Sequence, residues 1–227
     1  RDDEILRKSF FDLAAEVFDL SFENWYHNGF WTDRYIPYVL VNGDQVIANA
    51  SVNIMDTVWN GIPRRYIQIG TVMTRAAERN NGLSARLIRE ILSDWNDECD
   101  SIYLFANSSV LNFYPKFGFV PEKEYQYTLP VSAKESDFVK LDMDQEKDRE
   151  VLKRCYQKSN PFSALPMNGN YGLLMFYCSS YMKDCVYYSP QLDTVCVATQ
   201  SGGVLACLDI FGTPPCTLED VISLAAG

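Results

Sequence analysis

The stretch Thr71–Ile88, TVMTRAAERNNGLSARLI, joins a β-branched apolar run to an apolar-periodic run through a polar segment, Arg79-Asn80-Asn81-Gly82. Strand, loop and helix in that order predict the first half of a β-α-β crossover. The polar segment itself has two readings. It is either an ordinary turn in which an asparagine caps the helix, or a cradle in which the free backbone N–H groups of the first helical turn hold a phosphate.

Working outward, the helical spacing after the loop places Leu83, Leu87, Ile88, Ile91, Leu92 and Trp95 on one face. The following DSIYLFAN is short and nearly continuously apolar, as in a buried strand of a parallel pair. Upstream, 37–74 reads as three antiparallel strands divided by Asn-Gly at 42–43 and 60–61. An amphipathic helix is expected over 4–19. Between it and the strands lies an aromatic segment with Trp25, Tyr26, Phe30, Trp31 and Tyr35, read as a short helix and loop. That segment suits an aromatic cap on the core, with a substrate wall as the alternative. Downstream, SVLNFYPKFGF predicts a short helix, and the alternation of EKEYQYTLP (122–130) predicts a last strand. The fold class is therefore α/β (α+β): a mixed sheet, antiparallel at its N-terminal side, with a central parallel crossover.

A composition change over 130–137, PVSAKESD, marks a linker, giving domains of 1–130 and 131–227. The second begins with a charged helix, DQEKDREVLKRCYQKS, followed by a Gly/Pro/Asn-rich connection. Residues 38–54 and 195–211 share a strand–turn–strand pattern, and the latter hairpin precedes a helix, TLEDVISLAAG, that lacks a phosphate-type loop.

Bulk properties narrow the function. The 227 residues are 47% hydrophobic with a net charge of −10, and both halves carry excess acid. This disfavours nucleic acid or an anionic membrane as partner and suits a cationic substrate. Seven cysteines without a C-x-x-C pair, mostly in apolar surroundings, read as reduced core thiols of a cytoplasmic protein. With one histidine, His27, no metal site is expected. No run reaches the length of a membrane helix, and the abrupt start and stop of the chain suggest native termini outside this sequence. A nucleotide-binding reading lacks both G-x-x-x-x-G-K-[ST] and G-x-G-x-x-G.

A resemblance becomes specific when the loop is taken with Asn107–Phe119. R-x-x-G-x-S after GTVMT, then N-x-x-x-x-x-F-Y-x-K-x-G-F, resembles the GNAT superfamily of acetyl-CoA-dependent N-acetyltransferases over about 4–130. The resemblance implies that Val72, Met73 and Thr74 hold the pantetheine and acetyl carbonyl. It implies further that Arg79, Asn80, Asn81, Gly82, Leu83 and Ser84 grip the pyrophosphate, that Asn107 contacts the pantetheine arm, and that Tyr114 sits beside the thioester sulfur. Ser84 replaces the family's glycine or alanine, Ala76 a common proline, and Val110 a common alanine. The implied partners are acetyl-CoA and an amine acceptor, and the resemblance allows a homodimer. The implied second half is a degenerate or incomplete GNAT-like domain, in a tandem layout similar to the enhanced-intracellular-survival type of acetyltransferase.

The chemistry suits these residues. Acetyl transfer needs a neutral amine, a polarised thioester carbonyl and a proton for the departing thiolate, and a tyrosine can supply that proton. A general base is less evident: Gln68 cannot accept a proton, Asp56 is the nearest carboxylate, and His27 borders the acceptor side. The alternative function is a CoA-binding sensor or interaction module without turnover.

Overall fold

The computed structural model describes residues 1–227, which divide into two compact units, Arg1–Lys123 with Met167–Gly172, and Glu124–Pro166 with Leu173–Gly227. In the first unit, α1 (Glu4–Phe18) starts at Asp3, whose carboxylate accepts from the Leu6 N–H at 2.9 Å. It buries Phe10, Phe11, Leu13 and Ala14. After the short α2 (Glu23–His27), the strands β1 (Tyr35–Asn42), β2 (Gln45–Trp59) and β3 (Ile62–Thr74) form an antiparallel meander. The β2–β3 turn is Asn60-Gly61, both at positive φ (51° and 78°), the geometry that an Asn-Gly hairpin supplies. Helix α3 (Leu83–Trp95) then crosses to β4 (Ser101–Leu104), which pairs parallel with β3 in the sheet order β1-β2-β3-β4. The expected mixed sheet and crossover are present.

The two faces of the sheet bury different chemistry. Ala48, Ala50, Val52, Ile67 and Ile69 pack with Leu87, Ile88 and Ile91 of α3. Elsewhere in the unit Phe10, Phe22, Trp25, Trp31 and Tyr35 interlock with ring centroids 5.1 to 6.5 Å apart. The aromatic segment is thus packed core, with the Trp31 indole donating to the Tyr35 carbonyl at 3.0 Å.

Sequence reading missed the place of Met167–Gly172. Strand β1 reaches only to the partner of Asn53, and beyond the Arg34 carbonyl, which accepts from the Ile54 N–H at 2.9 Å, no strand covers that edge of β2. There the Asn168 N–H donates to the Asp56 carbonyl at 2.7 Å, the Asn170 amide to the Ile54 carbonyl at 3.1 Å, and the Trp25 indole to the Gly172 carbonyl at 2.6 Å. A Cβ on Gly172 would lie 2.3 Å from the Phe30 carbonyl oxygen. Gly172→Ala is therefore expected to destabilise the protein by about 1–3 kcal/mol, the usual cost of forcing extra volume into packed backbone. Equilibrium urea unfolding measures it, and an unchanged midpoint and slope would show that this segment is not held against β2.

The second unit is an antiparallel sheet, order β5-β6-β7-β8, of β5 (Val139–Lys140), β6 (Val186–Ser189), β7 (Thr194–Ser201) and β8 (Val204–Gly212). Helices α4 (Glu146–Lys158), α5 (Tyr171–Cys178) and α6 (Leu218–Ala225) complete the chain. Helix α5 went unpredicted because YGLLMFYC is apolar throughout and carries no period. The expected helix in SVLNFYPKFGF is two 3-10 turns, Ser108–Val110 and Tyr114–Phe117; Pro115, at the start of the second, has no N–H to continue an α-helical ladder back to Leu111. The strand expected at 122–130 does not form: no ladder pairs it, and Tyr125 and Tyr127 are 71% and 93% exposed. Alternation alone gives a strand no partner, and an unpaired strand has nothing to offset its ordering entropy.

Candidate functional site

The site is built where β3 and β4 part. Their parallel pairing ends at Ile69↔Leu104, and no strand pairs with residues 70–74 on the β4 side. On the other side β3 stays paired with β2 but gains a residue: Ser51 faces Gly70, whereas Asn49 faces Met73. This bulge reverses the inside–outside alternation of β3. Ile67 and Ile69 face α3 before it; after it, Val72 packs toward that cluster and the Thr74 hydroxyl lies 2.8 Å from the Ser84 hydroxyl on α3.

Thr71, in the bulge, has φ +50°, an unfavourable conformation for a β-branched residue. Two buried side chains hold it there. The Tyr35 hydroxyl lies 2.9 Å from the Thr71 hydroxyl, and the Asn49 amide donates to the Thr71 carbonyl at 2.8 Å and to the Ser51 hydroxyl at 2.9 Å. Asn49 is completely buried, and its own carbonyl oxygen has no partner. Burial pushes the Tyr35 phenol up to about 12, so it remains a neutral hydroxyl. Sequence reading misses Asn49 and Thr71, and sees Tyr35 only as one ring of the aromatic segment. The only available signal was a run of small polar residues, Asn49, Ser51 and Asn53, alternating with Ala48, Ala50 and Val52 on a strand otherwise fit for a core.

The loop after β3 turns through Ala76–Glu78 and reverses at Asn80 (φ +66°) and Gly82 (φ +73°) before α3. Gly82 stands at the N-cap with no side chain capping the helix, and no atom lies within 4 Å of the Cβ that it lacks. The first-turn N–H groups and the positive end of the helix dipole are thus left to an outside anion. Ser84 does not crowd that end, because its hydroxyl is engaged by Thr74. Exposed Arg79 rests its Nε 3.3 Å from the Thr74 carbonyl oxygen. Asn80 and Asn81 are exposed, and Leu83 is half-buried on the α3 cluster.

Tyr114 is 8% exposed, with its ring packed in the cluster of Ile67, Ile69 and α3 and set edge-on to Phe113 and Phe119 at 5.1 and 6.1 Å. Its hydroxyl has no hydrogen-bond partner in the protein, and burial raises its pKa above the usual 10. Asn107 opens the first 3-10 turn, exposed and without a side-chain hydrogen bond. The structure therefore brings Thr74, Ser84 and Arg79 into contact and places Tyr114 on the same β3–α3 core, while Asn107 touches none of them through a hydrogen bond.

The base candidates fare differently. Asp56 is gripped by Arg65 at 2.8 Å and by Arg34, and these hydrogen bonds hold its carboxyl below the usual range, Arg65 contributing most. A carboxylate so stabilised is a poor proton acceptor and serves as a structural ion pair. His27 is exposed, 3.1 Å from Glu23 one helical turn away. The Gln68 carbonyl oxygen accepts from the Asn53 amide at 3.4 Å.

The family profile described as acetyltransferase (GNAT) domain matches residues 4–121. Among solved structures, a conserved protein of unknown function from Enterococcus faecalis V583, described as a probable N-acyltransferase, is 17% identical with a TM-score of 0.63; the match covers 99% of this chain and 59% of that one. That likeness is one of fold. An acetyltransferase of Trypanosoma brucei is 22% identical over 55% of this chain and 92% of its own, with a TM-score of 0.45. A predicted acetyltransferase with acetyl-CoA from Clostridium acetobutylicum is 17% identical over 55% and 85%, with a TM-score of 0.41. No curated protein matches the sequence. No helix is long and apolar enough to cross a membrane.

Proposed function

Because the chain belongs to the GNAT acetyltransferase family, we propose that it transfers an acetyl group from acetyl-CoA to a primary amine of a small molecule or peptide by direct attack. The observation that carries this is the parting of β3 from β4 beside an uncapped helix N-terminus, an opening with backbone donors at one end and a buried tyrosine on the same core. Acetyl-CoA fits that opening: its pyrophosphate is an anion suited to Leu83, Ser84 and the exposed Arg79, and Gly82 leaves room for close approach. The unpaired edge at Val72, Met73 and Thr74 is the natural seat for the pantetheine arm and the acetyl carbonyl. There the bulge aims fixed backbone dipoles at developing negative charge. Asn107 is assigned to the pantetheine arm and Tyr114 to protonation of the departing thiolate. No carboxylate in the site is suited to deprotonate the amine, so a bound water is assigned that step.

The net charge of −10 favours a cationic acceptor, held near an acidic surface. Residues 131–227 are read as a degenerate GNAT-like domain on the strength of the β7–β8 hairpin, which repeats the pattern of β1–β2. The compartment proposed is the cytoplasm, from seven cysteines all present as free thiols.

A panel of polyamines, aminoglycosides, lysine peptides and peptide N-termini, incubated with acetyl-CoA and read by free-thiol release, tests the proposal. Amine-dependent release is expected, and Arg79→Ala should raise the Kd for acetyl-CoA about tenfold, equivalent to about 1.4 kcal/mol. Tight acetyl-CoA binding without release on any amine would replace the enzyme with a CoA-binding module. An unchanged Kd in the variant would remove Arg79 from the site.

A further inference from the structure

In the second unit, β7 and β8 carry a cysteine pair that acetyl transfer does not use. The register Val197↔Asp209 is followed by Ala198↔Cys207, so β8 holds one extra residue, Leu208, which is 49% exposed. Without this bulge Cys207 would lie on the face opposite Cys196; with it, Cys207 shares the face of Cys196, Ala198 and Ile210. The two sulfurs stand 3.8 Å apart. Their environments differ: Cys196 is fully buried, whereas Cys207 is partly open to solvent.

We propose that Cys207 and Cys196 form a peroxide-reactive pair, Cys207 as the thiolate that attacks the peroxide and Cys196 as the thiol that resolves the product into a cross-strand disulfide within the β7–β8 hairpin. The Cys207 thiolate displaces hydroxide from hydrogen peroxide, taking one oxygen as sulfenic acid. The Cys196 thiol then attacks that sulfur, forming the S–S bond and releasing water. Peroxide is the two-electron oxidant, and the two thiols are the reductant. The division of roles follows from access, since the oxidant reaches the partly open sulfur and the buried one waits within a short side-chain rotation.

Ionisation agrees with this assignment. The hydrogen bond shared with Cys196 holds Cys207 low, against the opposing pull of burial and of Asp209. Burial instead raises Cys99, Cys155, Cys178 and Cys216, with Cys178 pushed up to about 12. Metal ligation by these thiols has no geometric support, because no three His, Cys, Asp or Glu side chains are grouped to hold an ion.

The full chain, treated with hydrogen peroxide while folded and then alkylated in denaturant, tests the pair. No Lys or Arg separates Cys196 from Cys207, so chymotrypsin, which cuts after Leu205, must divide them before mass mapping. The expected product is a linked pair of peptides carrying Cys196 and Cys207, two hydrogens lighter than the reduced pair and released by reductant. In Cys196→Ser, dimedone should label Cys207; in Cys207→Ser, which alters the more exposed residue, neither link nor label should form. A link between other cysteines, dimedone labelling elsewhere in place of Cys207, or peroxide-resistant thiols at both positions would overturn the proposal. Acetyl transfer enters none of these readouts, so they stand or fall apart from the enzymatic assignment.

Discussion

Tyr114→Phe is expected to lower kcat about a hundredfold or more while leaving the Kd for acetyl-CoA within about twofold of the parent, the range over which a positioned general acid acts. The substitution removes one oxygen and little else, because the ring carries the packing, 8% exposed and edge-on to Phe113 and Phe119. The hydroxyl bonds to no protein group, so its loss leaves no orphaned partner and should cost little stability. Burial raises the phenol above its usual 10, and it stays protonated through the neutral range. A proton donor must hold its proton until the thiolate forms, so the rate should fall at high pH only as the phenol ionises, above the usual tyrosine value. Single-turnover rates with acetyl-CoA and the best amine of the screen, alongside calorimetric Kd values, separate binding from chemistry. Equal single-turnover rates in parent and variant would remove Tyr114 as the acid. A weakened Kd with the rate intact would make it a wall of the binding site instead.

Much of this site was legible in sequence because its parts announce themselves locally. Asn80 and Asn81 both tolerate left-handed turn geometry by residue type, and Asn80 adopts it while Asn81 does not; Gly82, expected to let the backbone come close to a ligand, also stands at positive φ. The helix after them shows its period and the strand at 101–104 its apolar run, although that strand lies at the sheet edge and is only half-buried where a buried one is expected. Ser84 was ambiguous from residue type alone, since whether its hydroxyl faces the ligand or Thr74 depends on the bulge in a different element. The bulge itself left no readable mark: nothing in GTVMT says that the alternation reverses at Thr71, because a bulge is a property of two strands in register. The same limit explains Met167–Gly172 and Cys196–Cys207. Each depends on pairing between residues distant in the chain, as does the failure of 122–130 to form a strand.

The bulge also carries the second large effect. Asn49→Leu is expected to lower the melting temperature by several degrees and, at temperatures where the variant remains folded, to lower kcat about ten- to a hundredfold with little change in the Kd for acetyl-CoA. Leucine fills the volume but donates nothing, leaving the Thr71 carbonyl and the Ser51 hydroxyl without the amide that now serves both. Unpaired buried groups cost about 1–3 kcal/mol. A β-branched residue held at φ +50° adds a conformational penalty of about 1–3 kcal/mol that only its surroundings sustain. Once the amide is gone, Thr71 can relax toward the β region, and the backbone beyond it turns with it. A displacement of about 1 Å at a polarising donor is enough for a hundredfold loss. The loss should fall on kcat because the pyrophosphate end, at Gly82 and α3, does not depend on Asn49 for its geometry. A general loss of structure would weaken both parameters together. Adding Thr71→Gly separates geometry from stability: glycine takes positive φ without strain, so Asn49→Leu/Thr71→Gly should regain much of the lost kcat even though it gives up the bond to Tyr35. Asn49→Leu with full kcat would show that the bulge keeps its shape without the clamp, and a double variant as slow as the single would show that the amide acts by something other than holding Thr71.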